Sequence, residues 1–553
     1  MKRLLFVSLF FLAITTTIAH AQHHANAPAG TGAVTLLPGL GAHHHPISTT
    51  NEEAQRFFNQ GLVLVYAFNH DEAARSFQRA AELDPQAAMA YWGIALASAP
   101  NYNSTTMDDA RRKIADEAIR KALALSAKAP EHERAYIEAM RQRISPDAKA
   151  AQAKLSLAYK EAMGALVRRY PDDLEAATLY ADAAMILNAW KLWSPTGAPA
   201  AGTEEAVSVL ESVLRRNPNH IGANHFYIHA VEASPQPERA LPSADRLGAL
   251  APAAGHLVHM PAHIYQRVGD YESSARVNDL AARADRAYIE ATSGAHAQHG
   301  IYTAAYYSHN LHFLAAAYSM QGRFADALKA AEQLESNVRP RLEGMRFLED
   351  FLPTKTLLLV RFRRWDDVLK SPQPAASLTY TRALWHWGRG LAHAATGKAA
   401  EAETEQKVFE AALNALPEGA RFGANAGRDV LKVASHILVA RIAGARGDRK
   451  LALQHFRQAV AVEDSLLYNE PPDWYYPPSR ESLGGALLAG GEYAEAERVF
   501  RADLERNRRN GRSLFGLAES LRAQGKTHAA ALVQQEFERA WKNADAPLKA
   551  GDL

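Results

Sequence analysis

The chain contains no cysteine. That absence rules out disulfide staples, thiolate metal ligands, a cysteine nucleophile and a lipid-anchored cysteine. Stability must come from an apolar core, and any metal chemistry from imidazole and carboxylate. Net charge is almost absent too: 62 Lys and Arg face 60 Asp and Glu, giving +2 with histidine neutral. A chain so balanced offers no electrostatic reason to expect nucleic acid or an anionic membrane as partner. No interior apolar run reaches the roughly 18 residues of a membrane-crossing helix, so no transmembrane segment is expected in the mature chain. Gly-rich phosphate loops and the G-x-S-x-G elbow are missing. The segment HFYIH has Phe226 where an HExxH metalloprotease carries its base, which excludes that family.

What is present is a long chain of 553 residues with 22% charged and 8% aromatic residues, values typical of well-packed proteins. Residues 1–21 read as a secretory signal: Lys2 and Arg3, an apolar run from Leu4 to Ile14, and a small-residue site ending at Ala21. Cleavage after Ala21 removes two basic residues and takes the formal charge from +2 to 0. The expected location is therefore outside the cytoplasm, periplasmic or secreted. Residues 22–50 are rich in Gly, Ala, Pro and His without periodicity and read as a flexible tether carrying His43, His44 and His45.

From Ala54 a period emerges. Phe57, Gly61, Ala73, Phe77, Ala80 and Pro85 fall at positions 4, 8, 20, 24, 27 and 32 of a 34-residue unit. Aligning on a turn glycine at position 15 or a small residue at position 20 gives further units near Ile221, Gly255, Ser308, Glu349, Ala383, Val433, Pro477 and Gly511. Starts at 221 and 255, 349 and 383, and 477 and 511 differ by the unit length. This pattern resembles the tetratricopeptide repeat, two antiparallel helices per unit. The resemblance implies an all-α helical-hairpin solenoid, a right-handed superhelix, used mostly to bind proteins or peptides, so a protein or peptide partner is expected. It covers most of residues 54–545, with 88–170 reading as degenerate repeats. The organisation expected is 51–340 as an N-terminal solenoid with a histidine-lined groove, 341–546 as a C-terminal solenoid, and 547–553 as a tail.

In that family the concave surface is lined through positions 2, 5, 9 and 12 of the first helix of each unit. Helical arithmetic agrees: positions 4, 7, 8 and 11 share one side and positions 2, 5 and 9 lie roughly opposite. His225 and His229 occupy positions 5 and 9 with Glu232 at 12; His256, His259 and His263 occupy 2, 5 and 9; His309 and His312 occupy 2 and 5. Seven of nine groove positions are histidine, whereas 23 histidines in 553 residues predict fewer than one. Imidazoles four apart on one helix can share an ion, and neighbouring helices can add a third or fourth ligand. With imidazole and carboxylate donors the expected ion is a divalent transition metal, Zn, Cu, Ni or Fe. An open coordination position beside Glu232 as general base would make a hydrolase or oxidase. A polar groove without metal, and a pH-sensitive groove, are the competing readings.

Isolated histidines such as His386, His393, His436, His455 and His528 read instead as hydrogen-bonded packing residues. Further groove candidates are Tyr307, beside the third histidine helix; Trp474, Tyr475 and Arg480, from the EPPDWYYPPSR segment; and Asp182, which with Glu175 forms an acidic flank. The sequence thus points to a binding scaffold with a metal pocket, to a metalloenzyme at that pocket, or to a plain interaction module of the cell envelope.

Overall fold

The computed structural model describes residues 34–292, 300–474, 477–545 and 547–553. The expected signal segment, its cleavage point and Tyr475 lie outside these residues. Among the described residues the structure is all-α apart from one two-residue strand pair, Arg421–Phe422 with Asn425–Ala426. Consecutive helices fold back on one another as hairpins, beginning with Glu52–Tyr66 on His70–Leu83 and ending with Gly511–Ala523 on Thr527–Ala540. The stretch 88–170, which matches the repeat poorly, forms the same hairpins: Ala88–Ser98 with Asp109–Ser126, and Glu131–Arg143 with Gln152–Arg169. The fold is a helical-hairpin solenoid of the tetratricopeptide type. No helix among the described residues is long and apolar enough to cross a membrane.

Two devices in the sequence produce the hairpins. Position 15 must turn the chain in the left-handed region, where only glycine is free of a Cβ clash. Gly269, Gly322, Gly397, Gly447, Gly491 and Gly525 do so with φ between +73° and +80° except Gly491 at +82°. The second device is a large ring seated against glycine. A Cβ on Gly61 or Gly93 would come within 2.7 and 2.3 Å of the Phe77 ring, and one on Gly484 or Gly516 within 2.6 and 2.2 Å of Phe500. The position-24 ring therefore locks its own first helix to the next unit at backbone contact distance.

Three parts of the expected organisation change. Residues 34–50 are a packed strap: Leu40 and Ile47 are buried, Leu37 N–H donates to Gln60 Oε1 at 2.7 Å, and Ser48 N–H to Glu133 Oε1 at 2.6 Å. The chain end is docked as well, with Leu553 buried and its carbonyl 3.1 Å from Arg441. The two cores part near residues 275–314, not at 340, because Phe313 packs with the first and Leu314 to Ala317 with the second. The third histidine helix straddles that seam.

The superhelix also closes on itself. Tyr468, on the loop before the Ser479–Ala489 helix, brings its hydroxyl to 3.1 Å from Glu232, and Tyr271 donates to the Arg508 carbonyl at 2.9 Å. The concave face is roofed by the chain's own C-terminal half.

Candidate metal centre

Three helices bring the histidines together. Ile221–Val231 presents His225 and His229 one turn apart. Pro261, lacking an N–H, divides the next helix into Gly255–His259 and Pro261–Arg267, with Met260 helical between them. His256, His259 and His263 lie along its one face. Tyr307–Met320 adds His309. Tyr302–Tyr306, which precedes it, is a π-helical turn, wider than α and frequent at functional sites.

The rings fall into two trios, His225–His229–His256 and His259–His263–His309, within each of which one ligand nitrogen per ring lies within 4.8 Å of the others. A third group, Glu232–His263–Glu470, shares His263 with the second trio. Five of these histidines are essentially inaccessible to solvent.

Hydrogen bonds fix which nitrogen faces the cluster. His225 Nδ1 lies 2.5 Å from the Tyr66 carbonyl, an obligate acceptor, so Nδ1 carries the proton and Nε2 a lone pair. His229 Nδ1 donates to Glu232 Oε1 at 2.7 Å. His259 Nδ1 meets Asn278 Oδ1 at 2.6 Å, and that amide is oriented by its Nδ2 donating to the Ser274 carbonyl at 2.8 Å. His263 Nδ1 is 2.5 Å from Glu232 Oε2. Among the described residues, the outward Nε2 atoms of His225 and His229 have no hydrogen-bond partner, and neither nitrogen of His256 has one. His259 and His263 point Nε2 at each other at 3.1 Å, two lone pairs in confrontation when both rings are neutral. Either a proton or a cation between them relieves it. Tetrahedral ligands about 2.0–2.1 Å from a zinc ion would stand about 3.3–3.4 Å apart, close to that spacing.

Electrostatics keep most of these rings neutral. Burial, reinforced by neighbouring imidazoles, pulls the pKa values of His225, His256, His259 and His309 well below the ordinary 6.5. Burial also lowers His229, against the opposing charge of Glu232. For His263 burial acts the same way, but Glu232 and Glu470 outweigh it and the net shift is upward. Burial alone would raise Glu232; His263 and His229 hold it far below the carboxylate range. Glu470 has less opposing charge, and burial pushes it up to about 7.

Glu232 is therefore not the free base expected from the sequence. Both oxygens are engaged, so it orients two imidazoles and neutralises charge beneath them. His312 stands apart, its ring 5.5 Å from that of Phe351, and joins neither trio. Tyr307 packs in a satellite core; the wider π turn shifts the phase so that Tyr306 faces the site, its hydroxyl accepting from Asn103 at 2.9 Å and its ring 5.0 Å from that of His256. Trp474 is buried edge-on against Trp387, filling the gap where the repeat spacing breaks. Arg480 forms a two-pronged pair with Asp464 at 2.6 and 2.7 Å. Asp182 is buried away from the histidines, its pKa pushed up to about 6 by burial against the partial offset of Arg143. Glu175 binds His43 at 3.0 Å and the Tyr66 hydroxyl, so the strap's histidine folds back onto a separate polar cluster.

Residues that the sequence reading missed complete the site. Glu470 and Tyr468 arrive from more than 230 positions away, with Tyr468 donating to Glu470 at 2.6 Å. Phe68 lays its ring over His225, His229 and His256 at centroid distances of 4.6, 5.7 and 5.1 Å. Trp190 packs edge-on to His229 at 6.0 Å. Both have positive φ, +55° and +61°, which non-glycine residues adopt at a cost. A cavity of about 370 Å³ opens beside the trios, bounded by His229, His256, His263 and His309 on one side and Asp350 and Glu470 on the other. A larger cavity, about 530 Å³, lies in the C-terminal half among arginines and apolar residues and contains no histidine.

No protein-family model matches the chain, and no curated protein does. Among solved structures the chain is similar to the Cut9–Hcn1 hetero-tetramer of APC/C, with 11% identity over 90% of this chain and 75% of that one at a TM-score of 0.30. It is also similar to human IFIT1 bound to m7Gppp-AAAA, with 13% identity over 89% and 91% at 0.33. The P58(IPK) TPR domain gives 12% over 86% and 99% at 0.22.

Proposed function

We propose that this chain is an exported tetratricopeptide-type scaffold, periplasmic or secreted, whose roofed groove binds a divalent transition metal, Zn, Cu, Ni or Fe, through its buried histidines. One observation carries the reading: His225, His229 and His259 have their Nδ1 atoms turned to protein acceptors, and the Nε2 atoms of His225 and His229 and both ring nitrogens of His256 converge with no hydrogen-bond partner among the described residues. A core built only for packing pairs such nitrogens with donors, because an unsatisfied buried polar atom costs about 1–3 kcal/mol. Acceptors behind imidazoles are what metal ligands carry, since they fix the tautomer and raise ligand basicity. The scaffold's outer surfaces remain available for a protein or peptide partner. Purified full-length chain, stripped with chelator and dialysed against Zn(II) or Cu(II), is expected to retain metal on elemental analysis. Retention of neither these ions nor Ni(II) or Fe(II) would sink the reading.

A metal-dependent enzyme is the second reading, favoured by the cavity beside the trios and by Glu470. Glu470 stands at the cavity wall with Tyr468 hydrogen-bonded to it, placed to exchange a proton with a cavity ligand, whereas both oxygens of Glu232 are held against His229 and His263.

A further inference from the structure

Resting on that metal-binding reading, we infer that the site holds two metal ions, one in each trio, and that the two sites are copies of one another generated by the repeat. The first trio consists of position 5 and position 9 of one unit, His225 and His229, and position 2 of the following unit, His256. The second consists of position 5 and position 9 of the next unit, His259 and His263, and position 2 of the one after, His309. The same three places on two successive helical pairs therefore produce similar three-imidazole clusters, with ring-centroid separations of 4.8, 4.9 and 6.3 Å in the first and 5.0, 4.8 and 5.7 Å in the second.

The supporting contacts repeat as well. In each trio the two histidines one turn apart have Nδ1 beside an acceptor oxygen: the Tyr66 carbonyl and Glu232 hydrogen-bond in the first, and in the second Asn278 hydrogen-bonds to His259 while Glu232 lies against His263 as a close charge contact. In each, the third ring comes from the following helix. Glu232 gives one oxygen to each trio and so places a single negative charge between two cation sites. The trios are neighbours in space: the rings of His229 and His263 are 5.9 Å apart, and those of His256 and His259 5.8 Å. Each ion has three imidazoles, which leaves a coordination position for a cavity ligand.

The series stops where the pattern does. In the third unit position 5 is His312, but position 9 is Ala316 and the next position 2 is Asp350. This explains why His312, histidine by sequence pattern, belongs to no trio.

His256 and His309 supply the ring from the following helix, and His256 makes no hydrogen bond through its ring. Zn(II) and Cu(II) should bind the stripped full-length chain at two equivalents, His256→Gln and His309→Gln at one each, and the double variant at none. Circular dichroism melting confirms that each variant is folded. X-ray absorption on the zinc-loaded single variants should report about three nitrogen neighbours of imidazole type. One equivalent in the unaltered chain, lost in both single variants, would overturn the inference and leave the metal-binding reading standing. A single variant that loses both ions or neither overturns the assignment of one ion to one trio. No metal in the unaltered chain overturns both readings.

Discussion

Phe68 shows how a single residue can be strained for the sake of a site. It stands at position 15 of its unit, where six other units carry a positive-φ glycine, and it keeps the left-handed backbone that glycine would adopt freely. The strain, about 1–2 kcal/mol for an L-residue, is offset by a ring packed over three histidines. Replacing Phe68 with alanine loses the ring and keeps the strain; glycine loses the ring and releases it. In denaturant melts Phe68→Gly is expected to be about 1 kcal/mol more stable than Phe68→Ala, the reverse of the usual order, and equal stability would show that no strain is held there. The shared face of the six trio histidines was legible, because the repeat assigns each to a face before any coordinate is known, whereas His312, expected with them, joins neither trio. Their division was not: which nitrogens are free depends on Tyr66, Asn278 and Glu232, and a helical wheel does not show acceptors on neighbouring helices. Trp474 and Tyr307 were misplaced for a related reason, since an irregular loop and a π turn each shift the phase that the wheel assumes.

At the scale of one element, the strap of residues 34–50 shows what composition hides. Its Gly, Pro and His content reads as a tether, yet the N–H groups of Leu37, His45, Ile47 and Ser48 donate to side chains of the first hairpins. His43 and Glu175 pin its middle. Burial lowers the His43 pKa, but the charge and hydrogen bond of Glu175 outweigh it and the net shift is upward. A histidine raised in the folded state stabilises fully below its unfolded pKa of about 6.5, and that contribution is lost as pH rises through the folded value. Glu175, held down to about 2, gives the opposite limb: its share is present above about 4.5 and lost as pH falls toward 2. Melting temperature is therefore expected to fall more between pH 6 and pH 8 in the unaltered chain than in His43→Gln. Parallel pH profiles would refute a stabilising pair. Tyr66 carries the effect inward, with its hydroxyl on Glu175 and its carbonyl on His225.

For the whole molecule the decisive contacts are the few that join distant repeats. Glu481 is fully buried between Arg361 at 3.1 Å and Arg512 at 2.7 Å, and Asn510 donates to it at 2.8 Å. Three hairpins meet at this carboxylate. Glu481→Ala leaves two buried guanidinium groups facing each other and is expected to cost about 3–5 kcal/mol in urea unfolding; a loss below about 1 kcal/mol would show that the arginines find other partners. The repeat made the hairpins and their order readable, but not the closure of the superhelix, which is written in pairs such as Tyr468 with Glu232 that share no local pattern.

That closure has a consequence in time. Hairpins form from local contacts and can assemble as the chain emerges, N-terminal units first. The loop carrying Tyr468 and Glu470 is made more than 200 residues after Glu232, and long-range contacts of this kind form last. Until that loop docks, the histidine face is an open, unroofed ledge rather than a chamber. Whatever enters the chamber at full size has to do so through the remaining mouth, whereas a small ion can be taken up early and walled in.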